Sequence, residues 1–182
     1  MRVRDLQRLY DYHYWATGQL LGVVAQLTPE QFTQSVAGSH GSIRNTLVHV
    51  LSAEWGWLER CGGPRRGERL NPQNFPEVEV LIRAWAQVEG YVRAFLSGLG
   101  DADLTRDIEF TIGGVPNHSL PLGDLMEHAA LHAMHHRGQA VLLLRMLGYV
   151  PGGIDFLLYL DERGGPPGSA ASTPIRLMPA SR

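Results

Sequence analysis

Four of the eight histidines of this chain fall within nine residues, from His128 to His136, and neither proline nor glycine stands between Gly123 and Gly138. Apolar residues recur through this segment at helical spacing, which predicts one long helix. Residues four apart stack on the same face of a helix, so His128, His132 and His136 form a single stripe. Imidazoles are awkward to bury without partners, and three in register therefore need a shared cause.

A divalent metal ion is the simplest shared cause. The spacing of His132 and His136 is the one by which a helix presents two imidazoles to one ion, and a third ligand must then come from another helix. His49, which stands in the apolar segment Leu47-Val48-His49-Val50-Leu51, is the natural candidate. The competing interpretation is that these are hydrogen-bonded core histidines or a chance pair on an exposed helix.

The apolar pattern of the whole chain predicts an all-α fold, a four-helix bundle with a short fifth helix. A brief alternation of apolar and polar residues before Gly113-Gly114 indicates a small hairpin between the third and fourth helices. We expect the bundle to occupy residues 1–163 and the Gly-, Pro- and Ser-rich residues 164–182 to form a flexible tail. The five predicted helices span about 5–27, 43–60, 76–99, 121–147 and 154–160.

Charge and cysteine content exclude several classes of protein. With 16 basic and 18 acidic residues, the net charge of −2 provides no electrostatic footprint for nucleic acid or an anionic membrane. The single cysteine, Cys61, excludes an intramolecular disulfide and fits a reducing compartment. Neither a signal peptide nor an apolar run of roughly 20 residues is visible. We therefore expect a soluble, cytoplasmic protein whose partner is a small molecule.

Four motifs carry a resemblance to a known family. They are Tyr12-x-x-Trp15-Ala16, Gly41-Ser42-Ile43 leading to His49, His132-x-x-His135-His136-Arg137-Gly138-Gln139, and Asp155-Phe156-Leu157-Leu158-Tyr159. With these motifs the chain resembles the DinB/YfiT-like (damage-inducible) family of small helical metalloproteins over residues from about 6 to 161. The fourth-helix motif is the specific part. Thr17 departs from the Asn that often follows Trp-Ala in such proteins.

The resemblance implies a four-helix bundle in which His49, His132 and His136 hold a divalent metal whose remaining positions are open to water. It also implies a homodimer, and the aromatic-rich first helix points the same way because it offers more apolar surface than one bundle face needs. Members of the family are assigned as metal-dependent thiol transferases, as a thiol-dependent isomerase, or as hydrolases without a known substrate.

Three neutral imidazoles leave a divalent ion its full charge, which lowers the pKa of a bound water, to about 7 for zinc in a suitable cavity. Hydrolysis would use that water, whereas transfer of a low-molecular-weight thiol would use an ionised thiol. Histidine ligands suit zinc, nickel, iron and copper, so the spacing does not identify the ion. We expect zinc or nickel, with iron or manganese as alternatives. The expected function is thus that of a metal-dependent thiol transferase or hydrolase. The alternative is a non-catalytic, stress-associated metal-binding or sensor protein.

Several side chains near the predicted site are assigned secondary roles. His128 is the candidate catalytic residue, and a pocket wall or a core position are the open alternatives. Gln139 lies close enough to the face of His136 to hold its ring. Glu54 is either an acceptor behind the ligands or a surface acid, since it is about 140° round the helix from His49. The glycine-flanked His40 is expected to be solvated.

Overall fold

The structure is a computed structural model that describes residues 1–164, apart from the side chains of residues 115–117. In chain order its elements are α1 (Val3–Val24), α2 (Pro29–Thr33), α3 (Ile43–Arg60), α4 (Val78–Ser97), β1 (Asp107–Ile112), β2 (Val115–Pro121), α5 (Leu122–Met146) and α6 (Phe156–Gly164). Residues 165–182 of the predicted tail lie outside the described residues. The domain boundary after residue 163 therefore stays a prediction.

The four long helices form the predicted bundle. Helix α1 packs against α5 and α4, and α3 packs against the same two helices, so the order around the bundle is α1, α5, α3, α4. Each helix contributes leucines to the buried centre, among them Leu6, Leu47, Leu81 and Leu125. The predicted all-α class is confirmed. Within residues 1–164, none of the helices combines the length and the apolar character needed to cross a membrane.

Helix α3 begins where the sequence predicts. Ser42 precedes it in an extended conformation, and its Oγ accepts a hydrogen bond from the backbone N–H of Asn45 at 3.0 Å. This cap satisfies one of the backbone donors that every helix leaves open at its first turn. The cap fixes the start of the helix that carries His49.

The predicted hairpin is also present. Strands β1 and β2 are antiparallel, and the chain turns at Gly113 and Gly114, whose φ angles of 60° and 77° are in the left-handed region that glycine adopts without strain. The ring of Phe110 in β1 packs edge-on against Trp57 of α3, with centroids 5.4 Å apart. The hairpin is thereby attached to the bundle beside α3.

The three tyrosines of α1 are buried within the chain, and Trp15 is half-buried. Helix α6 packs on α1, and Tyr159 lies against Tyr12 with ring centroids 5.8 Å apart. Tyr10 and Tyr14 are 1% and 6% exposed. The argument for a homodimer from surplus aromatic surface on the first helix is therefore wrong, because α6 and the bundle core already cover those rings.

Candidate metal centre

Three imidazoles from two neighbouring helices meet at one point. His49 on α3 places its Nε2 3.2 Å from Nε2 of His132 on α5, and Nε2 of His136 is 3.1 Å from the same atom. Two nitrogens that bind one tetrahedral zinc ion at about 2.0–2.1 Å lie roughly 3.3 Å apart. The two contacts to His132 therefore each have the spacing of two ligands of one ion, although His49 is more than eighty residues upstream of the other two.

The hydrogen bonds of His136 determine which of its nitrogens faces the cluster as an acceptor. Its Nδ1 is 2.8 Å from Oε1 of Gln139, and Ser39 Oγ donates to the same oxygen at 2.9 Å. An amide oxygen only accepts, so Nδ1 carries the proton and Nε2 presents a lone pair to His132. Gln139 thus stands where it would orient a metal ligand, as the sequence suggests.

A fourth imidazole, which the sequence places in solvent, reaches the same cluster. The ring of His40 stacks on that of His49 with centroids 3.9 Å apart and an interplanar angle of 21°. One potential ligand atom from each of His40, His49 and His136 lies within 4.8 Å of the other two. His40 is exposed, as predicted, but one face of its ring lies against His49 instead of solvent.

The backbone conformation of the loop that carries His40 brings its ring to the cluster. Gly38, Ser39 and Gly41 have φ angles of 93°, 48° and 86°, so three residues around His40 are in the left-handed region. Ser39 is the one non-glycine among them, and its Oγ is fixed by Thr46 Oγ1 at 2.9 Å and by Gln139. A histidine between two glycines, nine residues before His49, is the sequence feature that could have indicated this loop.

Two imidazoles of the cluster, those of His49 and His132, are held neutral. Burial, followed by the neighbouring imidazoles, lowers the pKa of His49 to about 4 and that of His132 also to about 4. At neutral pH both rings therefore keep a lone pair that can bind a metal ion. A cluster of protonated rings would instead repel such an ion.

His128 and His135, the other two histidines of α5, are both exposed. His128 is exposed, with its ring edge-on to Trp57 at 5.0 Å and 6.0 Å from that of His132. The core alternative for His128 is therefore wrong. His135 is exposed and contacts Gln139 through Nε2 at 3.1 Å, away from the point where the other rings meet.

Glu54 has neither of its predicted roles, because it belongs to a separate buried polar network. Its carboxylate accepts from Nε2 of His13 at 3.2 Å and from the hydroxyl of Tyr14. On the other side of the imidazole, Nη1 of Arg137 donates to Nδ1 of His13 at 3.1 Å and to Thr17 Oγ1 at 3.4 Å. The network joins α1, α3 and α5, and the sequence gives no periodic signal for it.

A pocket of about 390 Å³ opens beside the histidine cluster. His40 and His49 form one wall, and Asn45, Arg69 and Asn71 provide polar groups around it. Helix α3 and the loop that follows it thus place a cavity next to the point where the imidazoles converge. A small molecule in this cavity would contact the same rings.

The chain is similar to known proteins in both sequence and structure. The model of the DinB family matches residues 1–169. Protein DinB of Bacillus subtilis (strain 168) is 26% identical over 160 residues, which is 84% of this chain and 92% of that protein. A DinB-like protein from Bacillus cereus ATCC 10987 has a similar crystal structure, with a TM-score of 0.70, 23% identity and coverage of 84% of this chain and 97% of the other. A conserved protein from Enterococcus faecalis gives a TM-score of 0.54 at 17% identity over 79% of this chain and 97% of its own.

Proposed function

The chain belongs to the DinB family, and from that membership we propose that it is a divalent-metal-dependent enzyme, a low-molecular-weight thiol transferase or a hydrolase. His49, His132 and His136 are the proposed ligands. The observation that carries the proposal is the convergence of their Nε2 atoms, with the two contacts to His132 at 3.2 and 3.1 Å. A reducing, cytoplasmic location agrees with the single free Cys61.

The donor set supports a metal ion better than hydrogen bonding does. Nε2 of His132 contacts two other ring nitrogens, but a neutral imidazole nitrogen either carries one proton or offers one lone pair. One proton cannot satisfy both contacts, whereas a cation at their centre accepts a lone pair from each ring. Imidazole ligands favour zinc or nickel, with iron or manganese as alternatives.

When bound, a divalent ion would supply a lowered pKa to a water or thiol beside it. The chain's own residues perform the other tasks. Gln139 holds the tautomer of His136, and the pocket beside His49 receives the substrate. His128 is the proposed acid or base, since its exposed ring lies one turn from His132 and is free to reach solvent or ligand.

A non-catalytic metal-binding or sensor protein is the second candidate, and His40 is the observation that favours it. A structural zinc site is closed by four protein ligands, whereas a catalytic site keeps a position open. His40 would complete a set of four imidazoles with His49, His132 and His136. The two functions therefore differ in whether His40 occupies the fourth position.

Metal analysis of the untagged protein, purified without chelators, tests the proposal. We expect about one divalent ion per chain, lost in His49→Ala and His132→Ala but kept in His118→Ala, a control histidine in β2 that stacks on Phe110. The metal-replete protein is then screened with thiols and esters. Wild-type protein that binds no divalent metal at micromolar concentration would overturn both candidates. Metal binding without turnover would favour the second.

We also propose that the protein forms a homodimer through α5. One face of this helix carries Leu131, Met134, Leu142 and Met146, which are 46%, 46%, 59% and 66% exposed. Gly138 lies between them on the same face and leaves room for a side chain of another molecule. Such a row of exposed apolar side chains is typical of a surface that another molecule covers.

The charges at the ends of this row favour a second, antiparallel copy as the partner. Exposed Glu127 lies near one end of the row and exposed Arg145 near the other. A two-fold axis near the middle of α5 would place each Glu127 beside the partner's Arg145 and each Leu131 beside the partner's Leu142. Leu131 and Met134 are about 100° and 160° round the helix from His132. Leu142 and Met146 are about 80° and 40° round but lie roughly three and four turns further along, so the pairing would leave the metal centre open.

A further inference from the structure

The pocket beside the histidine cluster carries one cation that no ion pair explains. Arg69 lines this pocket together with His40 and His49. Its side chain is exposed, and among residues 1–164 no carboxylate lies within ion-pair distance of it. No acidic residue contributes to the pocket wall. The positive charge of Arg69 is therefore uncompensated in the wall of this pocket.

The uncharged polar side chains of the pocket can donate hydrogen bonds to a ligand. The side-chain oxygens of Asn45, Ser52 and Asn71 already accept hydrogen bonds from neighbouring donors. Ser52 Oγ accepts two hydrogen bonds and can offer a ligand only its O–H, whereas Asn45 and Asn71 can offer an N–H and the second lone pair of the amide oxygen. The pocket thus presents donors and a cation, and no carboxylate stands in its wall.

A metal ion bound by the histidines would add to the positive charge beside the pocket. Three or four neutral imidazoles would leave a divalent ion uncompensated, because none of them carries a negative charge. Arg69 lines the same pocket as His40 and His49, so its charge adds to that of the ion. A pocket with this field attracts a ligand that brings negative charge at two points.

We infer that the ligand of this site carries a carboxylate in addition to the group that binds the metal, and that Arg69 holds this carboxylate. A guanidinium presents paired N–H groups that match the two oxygens of a carboxylate. Arg69 is thus a specificity residue of the pocket, and the substrate class is a small carboxylate-bearing molecule. The inference rests on the proposed metal site and names the part of the substrate that lies away from the ion.

Two thiols of similar length test the inference. Protein loaded with Co²⁺ is titrated with 3-mercaptopropionate and with 3-mercapto-1-propanol, and binding is followed by the thiolate-to-cobalt absorption band. We expect the wild-type protein to prefer the acid and Arg69→Gln to lose that preference roughly tenfold. Arg69→Lys should restore part of it, because the charge returns without the paired donors. Arg65→Gln is the matched control, an exposed arginine of the same loop outside the pocket wall.

The outcomes separate this inference from the proposed function. If the wild-type protein does not bind Co²⁺, the proposed metal site is wrong and the inference falls with it. If Co²⁺ binds but the acid-to-alcohol ratio is the same in wild type, Arg69→Gln and Arg65→Gln, the inference alone is overturned. Failure of the Co²⁺-loaded wild-type protein to bind 3-mercaptopropionate at millimolar concentration would overturn it equally.

Discussion

Replacement of Arg137 by methionine should destabilise the protein more than any surface change. Arg137 is 3% exposed, and its Nη1 donates to His13 Nδ1 at 3.1 Å, to the His13 carbonyl at 3.4 Å and to Thr17. Burial lowers the pKa of Arg137, opposed by Tyr12 and Glu54. The side chain is therefore a buried cation whose stability depends on the polar groups around it.

The expected loss follows from what the substitution leaves behind. In Arg137→Met the Glu54 carboxylate, whose side chain is 2% exposed, keeps donors from His13 and Tyr14 but loses the only cation of its network. Arg137 and Glu54 interact through the ring of His13 and not directly, so the cost of breaking a direct buried ion pair, about 3–5 kcal/mol, is the upper range of the expected loss. For a domain of this size that loss corresponds to a fall in Tm of roughly 6–20 °C. The double variant Arg137→Met/Glu54→Gln removes both charges and should lose less than the two single changes added together.

Urea unfolding of the metal-free protein measures this loss without stabilisation by a bound ion. Arg93→Met is the matched control, because Arg93 makes ion pairs with Asp11 and Glu89 at 2.7 Å on the surface, with its side chain 44% exposed. Such pairs contribute about 1 kcal/mol or less. A loss below about 1 kcal/mol for Arg137→Met, or an equal loss for Arg93→Met, would refute the assignment of a stabilising buried network.

Three further predictions concern the metal, the partner and the cysteine. His136→Ala should lose metal and activity together, whereas His128→Ala should keep the metal and lower only turnover, and equal metal loss in both would contradict the ligand assignment. Light scattering at micromolar concentration should find a dimer that Leu131→Glu/Leu142→Glu converts to a monomer, and a wild-type monomer would exclude the α5 interface. Burial raises the pKa of Cys61 to about 11, so a thiol reagent at pH 8 should label native protein far more slowly than unfolded protein.

The parts of this structure that could be predicted are those set by local pattern. The four long helices follow from apolar residues at helical spacing, and the register of His132 and His136 follows from the same period. His49 could be inferred because two ligands on one helix leave an ion incompletely bound and because an isolated histidine on an apolar helix needs a partner. The hairpin follows from its alternating strands and the glycine pair at its turn.

What could not be predicted depends on the approach of segments distant in sequence. The carboxylate of Glu54 is buried because His13 and Tyr14, some forty residues earlier, face it across the bundle. A helical wheel gives the direction of Glu54 but not the identity of the group opposite. The aromatic residues of α1 looked like surplus surface for a similar reason, since the position of α6 is not encoded in the spacing of those residues.

His40 is the side chain that decides between an enzyme and a binding protein. His49, His132 and His136 stand on helices whose backbone is fixed by regular hydrogen bonds, whereas His40 stands on a loop held by Ser39 and by the amide of Asn45, which donates to the His40 carbonyl at 3.1 Å. A ligand from such a loop loses more conformational freedom on binding than a ligand already fixed in a helix, so it contributes less to affinity.

We therefore expect His40→Ala to weaken Zn²⁺ binding less than about tenfold, against more than about a hundredfold for His136→Ala. Competition with a chromophoric chelator measures both affinities, and the visible absorption of the Co²⁺ form reports the number of nitrogen ligands. Under the enzyme hypothesis the spectrum of His40→Ala matches that of the wild-type protein, because a solvent or substrate molecule already fills the fourth position. If His40→Ala loses as much affinity as His136→Ala and changes the spectrum, the site is closed by four histidines and the catalytic proposal gives way to metal binding alone.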